Sequence, residues 1–77
     1  MSKFRISISD RNTRRTIEAH DATEAVRRAV GQRLITCRQN AAAMDGSCAE
    51  YDVAVQTGPT RSGATPFRNI RAYVERL

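Results

Sequence analysis

Residues 58–65, G-P-T-R-S-G-A-T, meet the phosphate-cradling pattern G-x-x-x-x-G-K-[ST] at every fixed position except the lysine, where Ala64 stands. That lysine carries the charge that meets the terminal phosphates of a nucleotide, so its loss argues against nucleotide hydrolysis. A weaker anion contact at a helix start beside Arg61 stays open, next to the plainer alternative of a surface loop. His20 is the only histidine and adjoins Asp21. A histidine with an acid neighbour can serve as a general base, but no nucleophile or held water is nominated to work with it, and His20 reads as the end of a strand. Cys37 and Cys48 are the only cysteines. With one histidine and no second pair they signal neither a zinc site nor a disulfide framework, and they read as reduced thiols. The expectation is a protein that is not an enzyme and holds no metal or cofactor.

The charge is more informative. Twelve arginines and one lysine stand against eight acids, for a net charge of +5. Arginine's planar fork grips phosphate or carboxylate at two points and also stacks, which suits a binding surface. Codon usage in a GC-rich genome would produce the same bias, and composition does not separate the two. The distribution is segregated: residues 1–20 sum to +3, 21–38 to +2, 39–60 to −3 and 61–77 to +3.

These residues need elements to position them. Residues 3–9, K-F-R-I-S-I-S, alternate with Phe4, Ile6 and Ile8 on one side, the pattern of a half-buried strand. Asp10, Arg11 and Asn12 form a turn, and the return strand from Thr13 to His20 turns Ile17 and Ala19 inward. Asp21 and Glu24 have capping-box spacing, so a helix begins beside Ala22. Ala22, Ala25, Val26, Ala29, Val30 and Leu34 form its apolar stripe. The helix either runs past Gly31 towards Met44 or stops and yields a short strand, and a stop near Leu34 to Arg38 is favoured; Asp45 and Gly46 make a turn. Residues 50–57 alternate again, with Tyr51, Val53 and Val55 inward. A second helix is expected after Thr65 as cap and Pro66 at its first position, with Phe67, Ile70, Val74 and Leu77 as the buried stripe.

The expected fold is therefore α+β, one domain over residues 1–77: a three-stranded, largely antiparallel sheet covered on one face by two helices in the order ββαβα. The buried set comprises Phe4, Ile6, Ile8, Ile17, Val26, Val30, Val53, Val55, Phe67, Ile70 and Val74. No charged start followed by an apolar run is present, so neither a signal peptide nor a membrane span is expected, and the compartment is the cytoplasm.

The partner-binding surface is placed on the open face of the hairpin at Lys3, Arg5 and Arg14, extended by Arg11 and Arg15. Alternation sets Arg5 opposite Ile6, and the return strand brings Arg14 to the same side, with no opposed charge to explain the pair. Arg61, Arg68 and Arg71 form a second candidate patch. Sheets that bind single-stranded nucleic acid do so with exposed aromatics, and none is expected there, since Phe4 and Tyr51 are in phase with the core.

The passage T-I-E-A-x-x-x-x-E-A-x-R-x-A at 16–29 resembles one in small proteins of phage and mobile-element accessory regions, most of all the anti-CRISPR inhibitors of multi-subunit type I systems. That resemblance implies a mode of action: docking on a bacterial defence nucleoprotein complex and blocking its DNA or its nuclease, in the cytoplasm of a bacterial host. It carries over no residue roles. Many such inhibitors are acidic DNA mimics, and +5 departs from that pattern. The alternative is a small nucleic-acid-binding module acting through arginine–phosphate contacts.

Overall fold

The computed structural model describes residues 1–9 and 14–77. Asp10, Arg11, Asn12 and Thr13 lie outside the described residues, and with them the turn expected there. Strand β1 (Ser2–Ile8) pairs antiparallel with β2 (Arg14–Ala19), in the register Phe4 to Ile17 and Arg5 to Thr16. Helix α1 (Ala22–Val30) follows, then a 3-10 turn (Gly31–Arg33), β3 (Leu34–Ala42), β4 (Cys48–Gln56) and β5 (Phe67–Arg76). All five strands form one antiparallel sheet in the order β2-β1-β5-β4-β3.

The capping box forms. The Asp21 carboxylate accepts from the Glu24 amide at 2.8 Å, and the Glu24 carboxylate reaches back to the His20 amide at 3.2 Å. Ala25, Val26 and Ala29 are buried against the sheet. At the other end Gly31 takes φ +85 and donates to the Arg27 carbonyl, stopping the α-helix. The helix and its 3-10 turn are about 20 Å long, and five strands are about 19 Å across. One short helix thus carries the chain from the β2 edge to the β3 edge, touching every strand on the way.

This architecture replaces the expected three-stranded sheet with two helices. Residues 67–76 are a strand, not a helix: β5 lies between β1 and β4 and hydrogen-bonds to both. Two periods fit this segment. Phe67, Ile70, Val74 and Leu77 fit a helix, while Ile70, Ala72 and Val74 fit a strand, and Ala72 is fully buried in the strand. The slot between β1 and β4 decides the matter, because a strand there satisfies two ladders of backbone groups that a helix would leave open. Phe67 and Leu77, expected in the core, are 59% and 55% exposed. Pro66 precedes a strand and Thr65 caps no helix; its hydroxyl meets that of Thr60 at 2.8 Å across the loop.

Residues 34–42 are also a strand. Register shifts between Leu34 and Thr36 and between Gln39 and Ala41 break its alternation. Such irregularities protect an edge strand from pairing with other chains. The Asp45–Gly46 turn is as expected, with Gly46 at φ +75 and the Asp45 carboxylate accepting from the Ser47 amide at 2.9 Å. A hydrogen bond from the Ser47 side chain, and after it this amide bond, holds the Asp45 pKa below the usual carboxylate value.

One core lies between α1 and the sheet. Phe4, Ile6, Ile8, Val26, Val53, Ile70 and Val74 are buried as expected, while Ile17, Val30 and Val55 are half-buried. Tyr51 is 2% exposed, and its hydroxyl meets Thr23 at 2.9 Å and donates to Gln39 at 3.2 Å. Its one polar group is therefore buried without loss. No helix among the described residues is long and apolar enough to cross a membrane.

Two predictions follow from the local geometry. Asp21→Ala removes the helix cap and lowers unfolding stability by about 1 kcal/mol in urea titration. In the loop before β5, Ser62 and Gly63 both have positive φ, at +51 and +77. Gly63→Val should cost about 1–2 kcal/mol, whereas Ser62→Asn, a residue that tolerates this conformation, should leave stability equal or higher.

Candidate binding surface

The sheet has one face under α1 and one open, and register assigns the open face row by row. Directly opposed residues share a face, so Arg14, Ser7, Tyr73, Glu50 and Ala41 make one row running across all five strands. The adjacent row holds Thr16, Arg5, Glu75 and Cys48, and on the other side lie Arg71, Asp52 and Arg38. Around Tyr73 the face forms an open cleft of about 420 Å³, with Arg5 and Arg14 on one flank, Ala41 to Ala43 on the other and Cys48 between.

Lys3, Arg5 and Arg14 do reach this face together, as the alternation of the hairpin implies. Arg15 does not. It opposes Ile6 on the helix side, and its guanidinium donates to the Ala29 carbonyl in the last turn of α1 at 3.2 Å. That contact opposes the negative end of the helix dipole, so Arg15 serves the fold. Arg11 lies outside the described residues.

Contrary to expectation, Arg5 does have an opposed charge. β5 sets Glu75 beside it, and Arg5 Nη1 meets Glu75 Oε1 at 3.2 Å. Arg71 is held in the same way by β4, meeting Glu50 at 3.4 Å and Asp52 at 3.6 Å. A hydrogen bond to the Tyr73 side chain, then the charges of Glu50 and Asp52, push the Arg71 pKa above the usual arginine value. Of the acids that cluster between residues 45 and 52 in sequence, Glu50 and Asp52 are therefore laid among the arginines. Among the described residues no ion pair involves Arg14, whose cross-strand neighbour is Ser7.

The second candidate patch divides. Arg71 is on the open face, Arg68 occupies the alternate phase of the same strand, and Arg61 is in the loop between β4 and β5. This loop is no phosphate cradle. Arg61 and Ala64 exchange backbone bonds of 2.9 and 2.8 Å, so those two amides face each other across a tight turn. The segment that follows is a strand and offers no helix terminus.

Because residues 67–76 are a strand and not the expected helix, the open face carries aromatics. Tyr73 is 49% exposed and lies at the centre of the open face, and Phe67 is on the same side of β5 at its start. The alternation Ile70, Ala72, Val74 is the signal that would have found both. Comparison of the chain with protein-family models, with characterised proteins and with solved structures finds no significant match.

The two thiols differ by location. Cys48 is exposed in the cleft, while Cys37 is half-buried beneath α1, where burial raises its pKa and Arg27 partly offsets the rise. Iodoacetamide at pH 8 should therefore modify Cys48 well before Cys37 in a peptide-mapping time course. Unfolding in urea should bring the two rates together.

Proposed function

We propose that this protein is a non-enzymatic inhibitor of the anti-CRISPR type. Through the open face of its sheet it docks on a protein surface of a bacterial defence nucleoprotein complex and blocks DNA or nuclease engagement, acting in the cytoplasm of the host. The observation that carries the reading is Tyr73, left half-exposed in a cleft at the centre of the sheet with Arg5 and Arg14 on its flank. Tyrosine and arginine are the residues that most often anchor protein interfaces, because each combines large contact area with a directed polar group. The choice of a defence complex as partner rests on the passage at 16–29, which the fold lays along β2 and α1.

The charge pattern of this face favours a protein over a polyanion. Lys3, Arg5, Arg14, Arg38 and Arg71 are interleaved with Glu18, Glu50, Asp52 and Glu75. A phosphate backbone laid across the sheet would meet carboxylates repeatedly, and like charge in a contact is costly. A folded protein can match both signs.

The test is co-purification of the tagged protein with type I effector complexes. Wild type should be retained, and Tyr73→Ala and Arg14→Glu should each weaken binding at least tenfold, equivalent to about 1.4 kcal/mol. Exchanging the ion pair by Arg5→Glu with Glu75→Arg should cost less than Arg5→Glu alone. Failure to retain any type I complex, or full retention by Tyr73→Ala, would overturn the proposal. Displacement by short oligonucleotides that compete for Arg5 and Arg14 would assign this face to nucleic acid instead.

A further inference from the structure

Two long stretches of the chain contain no acid at all. Residues 25–44 hold Arg27, Arg28, Arg33 and Arg38, and residues 53–74 hold Arg61, Arg68 and Arg71, without one aspartate or glutamate in either. They are separate in sequence, and the sheet joins them: Leu34 of β3 pairs with Val55 of β4, and Val55 pairs with Arg68 of β5. Arg33 immediately precedes Leu34, and the loop bearing Arg61 starts one residue after β4, tied back by the Thr57 amide to the Pro66 carbonyl at 3.0 Å. Beyond the row of Asp52 and Arg71, this end of β3, β4 and β5 contributes no carboxylate among the described residues.

The same end carries an exposed aromatic ring. Phe67 is 59% exposed, and the loop beside it is closed by the Arg61–Ala64 backbone pair and the Thr60–Thr65 hydroxyl contact. Pro59 and Pro66 wall a shallow concavity of about 460 Å³ with Arg61 on its lining. Arg33 and Arg61 are both exposed. Arg33 and Arg61, with no carboxylate from these strands beside them among the described residues, hydroxyl groups and a ring left in solvent together match a single nucleic-acid strand, whose phosphates need the arginines and whose bases need a flat apolar partner.

We infer that the end of the sheet that carries Arg33, Arg61 and Phe67 is a binding site for single-stranded nucleic acid. It is distinct from the cleft around Tyr73 and does not depend on the docking reading. Phosphates contact Arg33 and Arg61, and one base stacks on Phe67. A duplex keeps its bases paired and can use only the arginines, so a single strand binds better.

The probe is a fluorescein-labelled oligothymidylate of 15 nucleotides, followed by anisotropy from 25 to 200 mM salt against a duplex of equal length. The strand should bind more tightly than the duplex, with a log–log salt slope of about −1.4 for two neutralised phosphates. Arg33→Glu with Arg61→Glu should weaken binding more than tenfold, and Phe67→Ala at least fivefold, with circular dichroism unchanged. Tyr73→Ala and Arg14→Glu, which test the docking face, should leave oligonucleotide binding intact. No binding at 25 mM salt overturns the inference. Insensitivity to Phe67→Ala with equal affinity for duplex does so too, as does loss through Arg5→Glu and Arg14→Glu in place of Arg33 and Arg61.

Discussion

The crossing of α1 from one edge of the sheet to the other is the constraint on which the remaining structure depends. Because the helix and its 3-10 turn are about as long as the sheet is wide, β3 is delivered beyond the position next to β1. A gap one strand wide then lies between the two hairpins β1–β2 and β3–β4, and β5 closes it. The last strand in the chain becomes the central one, buried on its helix side through Ile70, Ala72 and Val74. The apolar stripe of α1 rests on the continuous floor so formed, so the helix and the closed sheet require each other.

Central placement of β5 also decides the electrostatics. Among its described residues, the hairpin alone would present Lys3, Arg5 and Arg14 with only Glu18 to balance them. Once β5 and β4 are added, Glu75, Glu50 and Asp52 enter the same face, and Arg5 and Arg71 become halves of ion pairs. These pairs are largely solvent-exposed and contribute little to stability. Their effect is on recognition, because they turn a basic patch into a patterned one. Arg33 and Arg61 stand at the end of the sheet where, beyond Asp52, β3, β4 and β5 contribute no carboxylate among the described residues.

The arginines consequently separate into kinds that composition does not distinguish. Arg15 completes the end of a helix, Arg28 pairs with Glu24 one turn away and bonds the Glu18 carbonyl, and Arg76 reaches the Ser2 hydroxyl. These are structural uses. Arg14, Arg33 and Arg61 are exposed where recognition is proposed. A high arginine content is thus partly architecture, and only position separates the part that can bind.

Sequence by itself determined the local elements whose signals lie within a few residues. Alternation in β1 and β4, the capping box at Asp21 and Glu24, the buried stripe of α1 and the Asp45–Gly46 turn all follow from short-range rules, and so does the placing of Lys3, Arg5 and Arg14 on one face. Tertiary structure alone decided the rest. In β3 two register irregularities erase the alternation, so no periodic signal survives to be read. In residues 67–76 two periods compete, and the choice falls to strand because β1 and β4 offer unpaired backbone on both sides, a condition set by residues up to 72 positions away. The same long-range pairing exposes Tyr73 and Phe67 and brings Glu75 to Arg5, since neither event is encoded near the residues it affects.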